Sequence, residues 1–271
     1  MFLDSFTFGD TDRHVYPHRV LAAKKLGRID FAPITIFYGG NGSGKSTVLN
    51  VIARTIGVRR MSLGNTSDYF RYYTERCSFE SSWPINTRSA RFIRSEDVME
   101  GILEIRKNNR AITDKVYEKA GLLDDYVEGL GDKFRDPDSL KPWERDILSR
   151  LDDGKRLLAS LDSREEQFSN GESAMQYFDK HFLWNSLFFL DEPENSLDVM
   201  YQQQFAERIE NQVLNSNGQF IIATHSPFLM AMEGAKVIDL DSCPSVERPW
   251  FELPNMVAYH KFFQKYAVLF E

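Results

Sequence analysis

Eight consecutive residues, Gly39-Gly40-Asn41-Gly42-Ser43-Gly44-Lys45-Ser46, match the pattern G-x-x-x-x-G-K-[ST] in full. The chemistry that needs this spacing is the grip on a polyphosphate. Glycines let successive backbone N–H groups turn inward around phosphate oxygens without a Cβ in the way. Lys45 is placed to reach the β- and γ-phosphates, and the Ser46 hydroxyl is a ligand for Mg²⁺, with Thr47 completing the binding segment. A second group lies far downstream. Leu187-Phe188-Phe189-Leu190 is an apolar run that ends in the two carboxylates Asp191-Glu192. Beside a phosphate loop, the first carboxylate is a metal group and the second is a general base for an attacking water. Phe220 to Ala223 then runs into Thr224-His225-Ser226, and a histidine there can bond the terminal phosphate and register its loss. Ser169-Asn170-Gly171-Glu172 precedes a helical pattern and offers an anion-binding helix start.

The flanking patterns supply the elements that must hold these groups. Ile34 to Tyr38 reads as a buried strand feeding the loop, and Ser46 to Ile56 as a helix with Val48, Leu49, Ile52, Ala53 and Ile56 on one face. Phe2 to Phe8 alternates as a strand, and the aromatic stretch 66 to 95 reads as strand-rich. Residues 98 to 165 change character. Charged helical periodicity, with Trp143, Ile147, Leu151, Leu158 and Leu161 on apolar faces, is broken at Gly129 to Gly131 and at Asp136-Pro137, so this stretch reads as a helical insertion. From 166 onward the pattern alternates again. Helices are expected over Gly171 to Trp184, Asp198 to Leu214 and Val257 to Phe270. Strands are expected at Leu187 to Leu190, Phe220 to Ala223, Val237 to Leu240 and Trp250 to Leu253. The chain therefore reads as a single α/β domain over 1–271. Its N-terminal lobe spans 1–97, its insertion 98–165 and its C-terminal lobe 166–271, around a largely parallel sheet.

Composition narrows the classes. With 42% hydrophobic and 27% charged residues, 271 residues can build a substantial core. A net charge of -7 does not suit a dedicated nucleic-acid binder, although Arg54 to Arg60 and Arg88 to Arg94 form local basic clusters. Cys77 and Cys243 have no metal or disulfide spacing, which points to reduced thiols and the cytoplasm. The N-terminus lacks a signal-peptide pattern, and no run of about eighteen apolar residues predicts a membrane span.

Taken in order, the phosphate loop, Ser-x-Gly-Glu, Asp-Glu-Pro-Glu-Asn-Ser-Leu-Asp and Thr-His-Ser resemble the ATP-binding-cassette (ABC) ATPase superfamily, a P-loop NTPase fold with two lobes. The wording is most similar to its soluble branch of RecF, SMC and OLD-type proteins and small AAA-type ATPases of repair and phage-defence settings. That resemblance implies ATP with Mg²⁺ as cofactors, held by Gly39 to Thr47, with Ser46 and Asp191 at the metal. Lys45, Glu192 and His225 would be the catalytic groups. It also implies a homodimer closed head to tail around ATP, in which Ser169 and Gly171 of one copy face the phosphate loop of the other. Hydrolysis would then release the pair.

One departure stands out. The superfamily usually has a glutamine after a first-lobe strand, near the metal and the attacking water, and no Gln occurs here before Gln167. Phe92-Ile93-Arg94-Ser95-Glu96 fills the slot, with Ser95 or Glu96 in its place. Arg13 or Tyr16 is a candidate adenine contact. The insertion is too short for a chromosome-spanning coiled coil, since a hairpin of its length reaches some ~50 Å. About 30 residues follow Leu240, too few for an OLD-type nuclease domain, so a controlled nuclease would be a separate chain. The expected function is a soluble ATPase that switches a partner protein or nucleic acid, without inserting into a membrane. The ATP-binding subunit of a transporter and a non-hydrolysing scaffold are the alternatives. The missing glutamine argues against the first, and intact Lys45, Asp191 and Glu192 against the second.

Overall fold

The computed structural model describes residues 1–10, 15–58, 60, 67–123 and 169–270, with the side chains of 112–123 excepted. Two compact units emerge, one of Met1–Met99 with Asn170–Glu271 and one of Glu100–Ser169.

The first unit is organised by a six-stranded sheet. Its strands are β3 (Ile34–Tyr38), β5 (Arg91–Arg94), β6 (Leu187–Asp191), β7 (Gln219–Ala223), β8 (Lys236–Asp239) and β9 (Val246–Glu247). They lie in the order β5-β6-β7-β3-β8-β9, parallel from β5 to β8, with β9 antiparallel at the edge. Every residue of β3, β6 and β7 is buried, which is why these segments read as unbroken apolar runs rather than alternating ones. A second sheet, antiparallel, joins β1 (Ser5–Thr7) to β2 (Arg28–Asp30) and β4 (Ser78–Glu80). The Gln219 side chain ties the N-terminal segment to the main sheet. Its Oε1 accepts from the backbone N–H of Phe2 (2.8 Å) and Leu3 (2.7 Å), and its Nε2 donates to the Leu3 carbonyl (2.8 Å).

The helices follow local rules. α1 is His18–Ala22, and α2 (Lys45–Ile56) turns its apolar stripe into the core against β6 and β7. Glycines in the left-handed region bracket α2, Gly44 (φ 98°) before it and Gly57 (φ 88°) after it. At Gly44 only glycine fits, because a Cβ there would lie 2.7 Å from Val20 Cγ1. α3 (Asp68–Thr74) replaces the first part of the strand-rich expectation for 66 to 95, while Phe79 and Phe92 do lie in strands, β4 and β5. Ser67 caps it by accepting from the Phe70 N–H, and Phe70, Tyr73 and Thr74 share its buried face. α4 (Ser95–Leu123) starts three residues before the expected insertion and runs from the first unit into the second. The insertion's other expected features, from Gly129 to Leu161, lie outside the described residues.

In the C-terminal half, α5 is Asn170–His181 and α6 is Val199–Ser216, the latter capped by Asp198 through the Tyr201 N–H (3.0 Å). α7 is Pro227–Met230 and α8 is Pro254–Lys265. The expected closing strand Trp250 to Leu253 is instead a 3₁₀ turn, Trp250–Glu252, entered from Pro249, and the edge pairing belongs to β9. Only Met256 of α8 is buried, while Tyr259, Phe262 and Phe263 are exposed. Among the described residues, no helix is long and apolar enough to cross a membrane.

Candidate functional site

In a parallel sheet, all strands deliver their carboxyl ends to one edge, where ligands bind. Here that edge receives the loop after β3, Asp191 and Glu192 after β6, His225 after β7 and Asp241 after β8. The strand order places β7 between β3 and β6. Groups as far apart in the chain as Gly40 and Asp241, 201 positions, therefore meet.

Lys45 is at the centre. Its side chain is buried, and Nζ donates to the carbonyls of Gly39 (2.9 Å) and Gly40 (3.4 Å). The same ammonium lies 2.6 Å from His225 Nε2 and 3.3 Å from Glu192 Oε1. An ammonium only donates, so His225 Nε2 must accept and the ring carries its proton on Nδ1. Burial, with the Lys45 charge behind it, holds the His225 pKa below its ordinary value, in agreement with a neutral ring. Burial also pushes Glu192 upward, but the charge of Lys45 and the hydrogen bonds from Asn195 and Lys45 outweigh it, so this carboxyl stays below the usual range. Asn195 Nδ2 donates to Glu192 Oε2 at 3.1 Å. The backbone of Glu192 is left-handed (φ 51°, ψ 51°), an uncommon conformation for glutamate that costs on the order of 1–3 kcal/mol and turns its side chain off the line of β6.

Ser46 closes the second contact between the two motifs. Its hydroxyl donates to Asp191 Oδ1 at 2.8 Å, although 145 positions separate the two residues. Burial raises the Asp191 pKa, partly offset by the Ser46 hydrogen bond and the Arg94 charge. A hydroxyl and a carboxylate side by side are hard oxygen donors of the kind Mg²⁺ selects. Among the described residues no group of three His, Cys, Asp or Glu side chains forms a metal cage of its own. The two oxygens therefore fit a Mg²⁺ ion that takes the rest of its shell from phosphate and water. Asn41 and Gly42 are exposed at the loop tip, and Ser43 and Thr47 are buried beneath it.

The other expected site residues fare differently. Gly171 is in the first turn of α5, where a Cβ would run into the Tyr201 ring of α6; the contacts that join Lys45, Asp191, Glu192 and His225 do not include it. Ser169 belongs to the second compact unit. Ser196 donates to the Ser95 carbonyl at 3.4 Å and Asp198 caps α6, so both have tasks within this chain. Tyr16 stacks on Phe70, with ring centroids 5.8 Å apart, and Arg13 lies outside the described residues.

Three residues escaped the sequence reading. Asp241 Oδ2 accepts from the Gly40 N–H at 2.8 Å, holding the start of the phosphate loop. Glu194 Oε1 accepts from the His225 N–H at 2.6 Å, which fixes the backbone that presents the ring. Burial raises the Glu194 pKa. In the slot of the missing glutamine it is Arg94 whose side chain reaches the site, with Nε 3.8 Å from Asp191 Oδ2, while the Ser95 hydroxyl is 3.5 Å from Glu96 Oε2. A carboxylate two residues after a parallel strand was the only available signal for Asp241.

Comparison with known proteins adds the following. Residues 173–231 match the family model described as "AAA domain, putative AbiEii toxin, Type IV TA system". No curated protein matches the sequence. Among solved structures, the chain is similar to an inward-facing "putative metal-chelate type ABC transporter" (14% identity, TM-score 0.45, covering 96% of this chain and 88% of that one). It is also similar to the SMC head domain from Thermotoga maritima (16%, 0.44, 92% and 99%). A third is the Smc head domain of Pyrococcus furiosus with an extended coiled coil, bound to the C-terminal domain of ScpA (12%, 0.42, 96% and 99%). Values this low carry no partner or substrate across. A full phosphate loop, a parallel sheet that sets Ser46 against Asp191, and a family match spanning the Asp-Glu strand and His225 together make the chain similar to ABC/AAA-type P-loop ATPases.

Proposed function

We propose that this chain binds ATP with Mg²⁺, hydrolyses it, and uses the resulting change of state to control a partner protein or nucleic acid in DNA repair or phage defence. The observation that carries the reading is the junction of two distant motifs, with Lys45 beside Glu192 and His225, and Ser46 on Asp191.

Each residue has a role that follows from its surroundings. Lys45, freed from the Gly39 and Gly40 carbonyls, binds the β- and γ-phosphates. Ser46 and Asp191 hold Mg²⁺, which when bound screens the phosphate charge. Glu192, held ionised, takes a proton from the attacking water. Neutral His225 faces the terminal phosphate with its backbone held by Glu194. Two copies close head to tail, so that Ser169 and Gly171 of each complete the other's site and opening follows hydrolysis. The toxin–antitoxin setting named in the family description favours the defence half of this reading.

The test is the mass of Glu192→Gln by light scattering, with and without ATP and Mg²⁺. Turnover should fall by about 10²–10⁴-fold while binding persists, and a monomer should become a dimer only with nucleotide. Normal turnover in this variant would remove Glu192 as the base. A mass indifferent to ATP would remove the closure in trans.

A further inference from the structure

Arg94 ends β5 and pairs in register with Asp191 on β6, so its side chain leaves the sheet at the metal edge. Its Nε lies 3.8 Å from Asp191 Oδ2, close enough for strong attraction and too far for a hydrogen bond. That Nε–H is buried with no hydrogen-bond partner. Arginine–carboxylate pairs are frequently bidentate. Here one Asp191 oxygen is already taken by Ser46, and the Arg94 fork turns to Glu96 (Nη2 to Oε1, 2.6 Å). Glu96 is mostly exposed, so that second contact is worth little and is easily exchanged. Arg60, whose guanidinium lies 4.9 Å over the Phe92 ring, is pushed down in pKa by burial and by the charge of Arg94 itself. The backbone is anchored where the side chain is not, as the Arg94 N–H donates to Asp97 Oδ2 at 2.9 Å.

We propose that Arg94 is an exchangeable counter-ion. It neutralises Asp191 while no metal is present, gives way when Mg²⁺ arrives with the nucleotide, and then contacts the terminal phosphate. This deepens the ATPase reading and rests on it. A carboxylate cannot serve a guanidinium and a metal ion fully at once, so Arg94 and Mg²⁺ compete. A fixed charge at such a distance shifts a carboxylate's equilibria by roughly tenfold or more. The released cation compensates by meeting charge on the phosphate, as a guanidinium is suited to do.

The experiment titrates Mg²⁺ into the full chain with a fluorescent ATP analogue at pH 8, where protons compete less for Asp191, and measures turnover in parallel. In Arg94→Ala the half-saturating Mg²⁺ concentration should fall by roughly tenfold, while turnover at saturating Mg²⁺ also falls by about tenfold or more. Arg94→Lys should keep the wild-type Mg²⁺ requirement. Arg94→Gln should lower it like alanine yet recover part of the turnover. If Arg94→Ala does not fold, the lysine and glutamine variants carry the same contrast. A Mg²⁺ requirement unchanged or raised in the neutral variants overturns the proposal while leaving the ATPase reading intact. Failure of the wild type to bind nucleotide overturns both.

Discussion

The carboxyl edge of the parallel sheet and the amino end of α5 hold the two groups of residues that the proposed composite site would unite, and they are built in different ways. At the sheet edge, Lys45, Ser46, Asp191, Glu192 and His225 contact one another directly, within one chain. At α5, Gly171 packs against Tyr201, and its lack of a side chain is explained by that ring alone. The first group makes its mutual contacts without a second copy. The second is explained locally by packing, and a role for it at a nucleotide must come from another molecule. A sequence motif can thus be kept for two reasons at once, and only experiments that separate fold from turnover tell them apart.

The largest effect should come from the first region. Lys45→Ala should weaken nucleotide binding by roughly a hundredfold or more, read by calorimetry, because several charge-assisted contacts go together. Unchanged affinity would remove the phosphate-loop assignment. The next test joins the regions. Mixing Lys45→Ala with Ser169→Arg, each inactive alone, should restore about a quarter of wild-type turnover, since half the dimers would be mixed and each would hold one intact site. No recovery would mean that Ser169 does not act across copies. A smaller effect isolates the packing reason. Gly171→Ala should cost about 1–3 kcal/mol by overpacking, and Tyr201→Ala in the same chain should relieve much of that in a double-mutant cycle. If stability returns and turnover does not, Gly171 serves both purposes.

The smallest effect concerns protons. Glu194 has its folded pKa raised by burial, so between the unfolded value of about 4.5 and its folded value the native state holds the extra proton. Its contribution to stability is therefore fully present below that unfolded value and is lost as pH rises through the folded one. Glu194→Gln keeps an acceptor for the His225 N–H but removes this titration. Its melting temperature should fall less between pH 4.5 and 7 than that of the wild type, and parallel curves would refute the assignment.

Much of the first region was legible because its physics is local. Glycine spacing, one lysine and an apolar strand ended by two acids each imply a task without knowledge of neighbours. The order of the strands was not legible, since β3 pairs with β7 and β8 through contacts that no local pattern announces. Phe70 and Tyr72 read as strand residues by type, yet the Ser67 cap and the buried spacing of Phe70 and Tyr73 make a helix. Arg94 lies inside the glutamine slot, but a charged residue at a strand end is ordinarily solvated, so its type alone does not mark it as a site residue. Only the register Arg94–Asp191 shows otherwise.

The position of β3 also has a consequence for biosynthesis. Ile34 pairs with Phe220 and Thr35 with Lys236, so both neighbours of the strand that carries the phosphate loop are translated nearly two hundred residues after it. At roughly 5–20 residues per second that is a wait on the order of ten seconds or more. Throughout it, five apolar-rich residues have no sheet to join. The nascent chain thus leaves the ribosome with this wholly buried strand unpaired, and it is at this stage, rather than in the finished protein, that a chaperone has most to protect.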